Sequence, residues 1–336
     1  MSTIPRVEAS PPSTVAALIE EARRNPIRWL IPGVLLEGGL HILHGKEESF
    51  KTMLTIQMHE VLSVGGKFLN RTVEGGLRTG IVELEMKPAQ FGDRLRRLFR
   101  EEIPPIEVLP DDLRRMVLDS KHAKERIAVI GNWATRLGLS VISIDSAVKL
   151  FPPHYDLSKP EQASEVFNQL QRLATVWMLG HDRKSQPGVD RRVGNDEIVG
   201  SGRFAQDPDV VHQMIRPDGR APRVIFNWGK MRDGEKYDPL DLWFDKVDYR
   251  LNPIHPYIHL LRDREMAEAK LIAEAEARYG WKERRARDHL ASLLKLKDAY
   301  GLEAVKEKQD GHAKVISLVR EPVPPESEEP GKNLET

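Results

Sequence analysis

Residues 40–54 of this chain read Leu-His-Ile-Leu-His-Gly-Lys-Glu-Glu-Ser-Phe-Lys-Thr-Met-Leu. A short apolar run enters Gly45, four residues intervene, and Phe50, Lys51 and Thr52 open an amphipathic helical period. A strand that turns through a short loop into a helix is the first half of a strand–helix–strand unit, so it commits its surroundings to a parallel sheet. The loop also has a chemistry. Backbone N–H groups at a helix N-terminus face an anion, a Lys there reaches outer phosphates, and a Thr hydroxyl ligates magnesium. Gly45, Lys46, Glu47, Glu48, Ser49, Phe50, Lys51 and Thr52 are therefore the candidate nucleotide-binding residues. Two features depart from the usual pattern. Phe50 stands where Gly normally precedes the Lys, and Glu47 and Glu48 must point outward to leave room for phosphate.

Composition narrows the classes. The 336 residues carry 51 Lys+Arg and 51 Asp+Glu, so no overall basic field draws nucleic acid and any such site is a local patch. There is no Cys, which excludes a disulfide framework, a cysteine-ligated zinc and a catalytic thiol, and fits a reducing cytoplasm. No apolar run approaches the roughly 18 residues of a membrane span. The first residues, with Pro5, Glu8, Pro11 and Pro12, lack the basic-then-apolar form of a signal peptide. A soluble cytoplasmic protein is expected.

Residues 1–28 read as a flexible lead followed by a short helix over 15–24, capped by Ser13 or Thr14 and ended by Asn25 and Pro26. From 29 to 252, short apolar runs alternate with helical periods, which predicts an α/β core with a mostly parallel sheet and crossover helices. Strands are expected at 41–43, 80–84, 106–109, 141–144, 175–179, 210–214, 223–226 and 240–244. Helices are expected at 51–64, 90–101, 121–137 and 164–173. Residues 182–202 are polar and unperiodic and read as one long loop. Over 253–320 the order changes to a helix (264–279), a turn, a basic helix (282–296) and a small hairpin, the order of a winged helix. Residues 321–336, rich in Pro and Glu, read as a disordered acidic tail.

Further candidates follow from position. The run Val141 to Ile144 delivers Asp145 at a strand's C-terminal end, where open α/β sheets bind ligands and where a carboxylate can hold magnesium. An Asp there can equally cap the next turn. Glu83 and Glu85 alternate with apolar residues and so share one strand face, with Glu85 nearer the C-terminal end. Glu85 is the better placed to orient water, and Glu83 is the reserve. A solvent-facing strand carboxylate is the competing reading.

Taken in order, these strings resemble the RecA-like ATPase core of DnaB-type and RepA-type replicative helicases, a group that includes many short phage and plasmid proteins. The resemblance spans roughly residues 29–252. Glu83, Leu84, Glu85 and Met86 with Arg94 match the family's second-strand string. His181 matches a residue that senses the γ-phosphate. Gly200 to Val211 matches a Ser-Gly…Gln-Asp-Ala-Asp-Val-Val segment, and Lys230, Arg232 and Gly234 match a Lys-x-Arg-x-Gly string whose cations reach a neighbouring subunit's nucleotide.

The resemblance implies ATP and magnesium as cofactors, with Lys51 on the phosphates, Thr52 and Asp145 on the metal, and Glu85 as the catalytic carboxylate. It implies a homo-oligomer, a hexameric ring or open helical filament, because Lys230 and Arg232 act in trans. DNA would pass through the middle, and Arg183, Lys184, Arg191 and Arg192 are its candidate backbone contacts. The basic helix over 282–297, with six Lys/Arg against Glu283 and Asp288, adds Arg284, Arg285 and Arg287 as candidate contacts to duplex DNA. The same helix could dock a protein partner. The expected function is an ATP-driven motor on single-stranded DNA serving replication of a phage, plasmid or similar element. The alternative is a nucleotide-dependent DNA-binding oligomer without processive unwinding.

Overall fold

The computed structural model describes residues 14–182, 198–200, 202–217, 223–232, 237–253, 256–261, 266–279, 281–295, 305–310 and 313–318. The lead (1–13), most of the long loop (183–197) and the acidic tail lie outside the described residues. A helix, α1 (Val15–Arg24), starts where Thr14 Oγ1 accepts the Ala17 N–H at 3.1 Å, and it buries none of its residues. A small hairpin, β1 (Trp29–Ile31) and β2 (Leu35–Leu36), leads into β3 (Leu40–Gly45), every residue of which is buried. The helix α2 (Lys51–Val64) follows, with the bounds the sequence predicts. It is not amphipathic, however. Ten of its side chains are buried, from Lys51 and Met53 to Leu62 and Ser63, because strands of the large sheet and the hairpin that follows it pack around it.

A second hairpin, β4 (Gly66–Phe68) and β5 (Arg71–Val73), precedes β6 (Thr79–Glu83), α3 (Pro88–Leu98), β7 (Ile106–Val108), α4 (Asp111–Asp119) and α5 (Ala123–Leu137). The chain then supplies β8 (Val141–Asp145), α6 (Pro160–Leu170), β9 (Thr175–His181), a single turn α7 (Arg203–Gln206), β10 (Val210–Ile215), β11 (Arg223–Met231), β12 (Leu240–Asp245) and β13 (Arg250–Asn252). Nine of these strands form one sheet in the order β13-β12-β11-β10-β3-β9-β8-β6-β7. From β10 to β7 all neighbours are parallel. The expectation of crossover helices fails beyond β10, where β11, β12 and β13 return as an antiparallel meander. The short links leave no room for a crossover of a dozen residues.

Strand alternation divides the interior. Leu40 and Ile42 face the core under α5 and α6, with Ile130, Trp133 and Phe167, while Leu43 faces the core under α2, with Leu54, Ile56 and Phe226. The sheet is thus covered on both sides, the layering of an α/β domain. His41 and His212 flank Trp177 in this interior. Burial pushes them down to about 4 and about 3, so both are neutral at physiological pH. His41 Nε2 accepts the Leu36 N–H at 2.8 Å, which places its proton on Nδ1, donated to Val176 O at 3.0 Å.

Beyond β13 come α8 (Pro256–Leu261), β14 (Met266–Ala267), α9 (Glu268–Tyr279), α10 (Glu283–Lys295), β15 (Val305–Asp310) and β16 (Ala313–Leu318). The strands form an antiparallel sheet in the order β14-β16-β15. The expected first helix starts later than 264, since Met266 and Ala267 pair with β16, and α8 is additional. Trp243 of β12 packs with Tyr257, Leu271, Trp281 and Leu290 in a core of its own. Arg278 pairs with the buried Asp245 at 3.0 Å, tying α9 to the sheet. No helix among the described residues is long and apolar enough to cross a membrane.

Trp177 is fully buried in central strand β9, and its Nε1 donates to Thr55 Oγ1 of α2 at 3.1 Å. Trp177→Ala is expected to cost about 3–5 kcal/mol of stability. Urea unfolding checks it, and a loss under about 1 kcal/mol would contradict this packing.

Candidate active site

The loop between β3 and α2 is shaped by two residues in the left-handed region, Glu48 at φ 61° and Phe50 at φ 64°. For a bulky residue such a conformation is a genuine outlier, costing about 1–2 kcal/mol. At Phe50 that cost is roughly offset. Its ring stacks on Phe244 at 4.5 Å with 22° between planes, and the Arg216 guanidinium lies 5.1 Å from its centroid. Such contacts contribute about 0.5–1.5 and about 0.5–1 kcal/mol. Gly45 has a different reason. A Cβ there would collide with the Met214 carbonyl oxygen and Ser49 Oγ, so the loop lies against β10 as only glycine allows.

Lys51 opens α2, and its buried ammonium points into the loop. Nζ donates to Gly45 O at 2.8 Å, Lys46 O at 2.9 Å and Ser49 Oγ at 3.4 Å. Burial lowers its pKa, opposed by the charges of Asp145, Asp182, Glu85 and Glu47. Glu47 and Glu48 are exposed, yet both line the same cavity as Lys51 rather than turning away from it, and Glu48 faces Arg216 at 3.5 Å.

Thr52 Oγ1 donates to Asp145 Oδ2 at 2.6 Å. This joins the opening of α2 to the end of β8, and burial raises the Asp145 pKa. A hydroxyl beside a carboxylate is a hard-oxygen pair of the kind that holds magnesium when phosphates and water complete the shell. Lys51, the tight Gly45 contact and the N-terminus of α2 fit the phosphates of a nucleotide.

The two strand glutamates have different surroundings. Glu83 ends β6 and folds into the following turn, where Oε1 accepts the N–H groups of Glu85 and Met86 at 2.8 and 2.7 Å. Burial, then the nearby Asp145 charge, pushes it up to about 7. Glu85 lies past the strand end. Its Oε1 accepts from Ser146 Oγ and sits 3.2 Å from His181 Nε2. The hydrogen bond from His181, more than any other influence, holds Glu85 down to about 2. Arg114 of α4, which sequence reasoning passed over, braces this turn by donating to Glu83 O and Met86 O at 3.0 and 3.2 Å.

Phe50, Lys51, Thr52, Glu85, Asp145 and His181 line one cavity of about 470 Å³. Glu47, Glu48, Met53 and Met86 also line it, and Phe244, Tyr249, Arg94 and Arg216 complete its wall. Sequence reasoning quoted Arg94 only as part of a string and missed the other three. They come from the ends of β10 and β12 and the turn before β13, and no local motif joins them.

The remaining candidates are elsewhere. Lys230 and Arg232 stand at the far edge of the sheet, since β11 runs against β10 and Met231 pairs with Val210, which pairs with His41 at the start of β3. Lys230 Nζ donates to Pro208 O at 2.6 Å and to Gln206 O, and Arg232 pairs with Asp209 at 3.0 Å. Arg183, Lys184, Arg191 and Arg192 lie outside the described residues, as does Gly234. On α10, Arg284 is exposed, and Arg285 lies in the same turn. Arg287 is already paired with Glu283 and Glu268, each at 3.0 Å, which weakens the expected basic face.

A family model described as an AAA domain, AAA_25, matches residues 5–187. No curated protein matches the chain. Among solved structures, one described as an ATPase domain is similar over 72% of this chain and 97% of its own, at 14% identity and a TM-score of 0.51. A DnaB-like replicative helicase, described with its interactions with primase, is similar over 73% of this chain and 67% of its own, at 13% identity and a TM-score of 0.52. The likeness is one of fold, and the fold is that of RecA-like ATPase cores.

The Glu85 carboxylate offers a test of the site's electrostatics. A carboxylate whose folded pKa is depressed stabilises the fold above its unfolded value, and that contribution is lost as pH falls through the folded value. For Glu85 the window runs from 4.5 down to about 2. In His181→Ala, Glu85 is expected to titrate closer to an ordinary carboxylate, as read by carbon NMR of its side chain. An unmoved titration would mean that His181 is not the controlling donor.

Proposed function

This chain belongs to the AAA_25 family of AAA domains, and on that premise we propose that it is a magnesium-dependent, ATP-hydrolysing oligomeric motor acting on single-stranded DNA. The observation that carries the reading is the convergence of Lys51, Thr52, Asp145, Glu85 and His181 on one cavity at the C-terminal ends of parallel strands. The replicative setting, in a phage, plasmid or similar element, is proposed from the likeness to the helicase core.

Lys51 and the loop N–H groups hold the β- and γ-phosphates, and Thr52 with Asp145 holds magnesium. When bound, that ion neutralises charge on the phosphate oxygens. Glu85 is ionised at neutral pH and accepts a hydrogen bond from the attacking water. Its low pKa makes it a weak base while His181 is its donor. Turning His181 toward the γ-phosphate would free Glu85 to take up the water proton, so that substrate and base are matched in time.

Lys230 and Arg232 support an oligomer. They are separated from their own cavity by the length of β3 and β10, about four strand residues or roughly 13 Å. A cation so placed serves a nucleotide only in a neighbouring copy, and one repeated head-to-tail contact gives a ring or a helical filament. The order of α8, β14, α9, α10, β15 and β16 supports a winged helix that docks duplex DNA or a protein partner.

Two experiments test this. Glu85→Gln should bind ATP like the wild type and hydrolyse it orders of magnitude more slowly, with and without single-stranded DNA. Unchanged turnover would remove Glu85 from the chemistry. Arg232→Ala and Lys51→Ala should each be inactive alone, and mixing them should restore part of the turnover through composite sites with one intact loop and one intact cation. No rescue on mixing, or a strict monomer at micromolar concentration with ATP and DNA present, would defeat the oligomer.

A further inference from the structure

Glu85 meets two donors, and both reach the same atom. Oε1 accepts from Ser146 Oγ and from His181 Nε2, while Oε2 has no hydrogen-bond partner among the described residues. The two donors are held in different ways. Ser146 is fully buried and follows directly on β8. The single turn after it packs Ala147 and Leu150 into the interior, and the Lys149 N–H donates to Ser146 O at 3.0 Å. His181 ends β9 with a partly exposed ring whose Nδ1 is buried without a partner, so its bond to Glu85 is the ring's only one among the described residues. The backbone of Glu85 is fixed as well. The Leu84 N–H donates to Asp145 O at 2.6 Å, which brings the next residue of each segment, Glu85 and Ser146, side by side. Glu83 Oε1 accepts the Glu85 N–H at 2.8 Å, and Arg114 grips the same turn at Glu83 O and Met86 O. What remains to be set is the side chain, whose many rotamers a bond to the carboxylate limits.

We propose that Ser146 is the positioning residue of Glu85: its hydroxyl holds Oε1 throughout turnover, so that Oε2 stays aimed at the attacking water after His181 has turned to the γ-phosphate. This rests on the hydrolytic reading above and adds to it a fixed donor behind the catalytic carboxylate. Without Ser146, the departure of His181 would return Glu85 its rotamers at the moment when the water must be held in line. Losing one donor and keeping the other lets Glu85 gain basicity without losing its place.

The test is steady-state ATP hydrolysis by the full chain with magnesium and single-stranded DNA, read as kcat and KM, with ATP affinity measured by isothermal titration. The proteins compared are the wild type, Ser146→Ala, Ser146→Thr and Glu85→Gln. Ser146→Ala is expected to bind ATP as the wild type does, to keep its KM and to lose about 10- to 100-fold in kcat, the size of one hydrogen bond to a charged group. Ser146→Thr keeps the hydroxyl and is expected to recover most of that loss. Ser146→Ala turning over like the wild type, while Glu85→Gln is slow, overturns the positioning role. An ATP affinity that falls together with kcat overturns it too, by moving the effect to the neighbouring Asp145. Loss of the fold in Ser146→Ala, or a Ser146→Thr as slow as Ser146→Ala, assigns Ser146 to packing and has the same consequence. A wild type without turnover, or Glu85→Gln as fast as the wild type, sinks the hydrolytic reading itself.

Discussion

The parallel register of β3 between β9 and β10 sets the level at which everything else in the site is delivered. Gly45 lies beside His181 on one side and Met214 on the other, and Glu83 of β6 lies beside Asp145 of β8. Strand side chains alternate faces, so a slip of one residue would carry His181 and Asp145 to the wrong side of their strands. What prevents the slip is burial on both faces. Ile42 and Leu43 are fully buried in different cores, so a slip would force both close-packed interiors to repack. The geometry of the site is therefore secured by apolar packing several residues behind it.

Within that frame, the site concentrates charges that water would otherwise keep apart. Asp145, Glu83 and Glu85 lie at the ends of neighbouring strands, and burial drives the first two toward protonation while donors drive the third the other way. Lys51 brings a buried ammonium among them, and the negative charges of Asp145 and Glu85 oppose the effect of its burial. The division of labour between Glu83 and Glu85 comes from this contrast. One carboxyl is walled in and occupied by two backbone N–H groups, and the other is half-exposed to the cavity with a histidine for company.

The sequence made some of this legible and concealed the rest for identifiable reasons. The bounds of α1 and α2 followed from Thr14 and from the Gly45-to-Lys51 loop, which are local signals. Thr52 was legible in the loop pattern, Asp145 and Glu85 because each follows an apolar run whose end a parallel sheet collects, and His181 through the family resemblance. The meander of β11 to β13 was hidden because an apolar run does not reveal its direction. The β4–β5 hairpin was hidden by a turn through Leu69 and Asn70 with φ of 50° and 65°, since leucine gives no warning of a left-handed conformation. The helix α4 had its signal in Pro110 followed by Asp111 and Asp112, and it went unread. Arg216, Phe244 and Tyr249 carry no motif at all, being neighbours only after the sheet has formed.

The far edge of the sheet holds its charges differently. Asp209 accepts the Leu40 N–H at 2.9 Å and pairs with Arg232 at 3.0 Å, so one carboxylate caps the start of β3 and holds the cation. Arg232 is half-exposed, and such a pair is worth only about 0–1 kcal/mol. Asp209 would keep its hydrogen bond to β3 if Arg232 left. In the proposed oligomer, exchange of Asp209 for a phosphate of a neighbouring copy would free an Arg232 that is already half-exposed, while Asp209, only 17% exposed, would keep the Leu40 N–H. Such a cation is aligned by its strand and lightly held, which is what the proposed action in trans would need. Lys230, bound to two backbone carbonyls, is fixed more firmly and suits the role of orienting the edge on which Arg232 is carried.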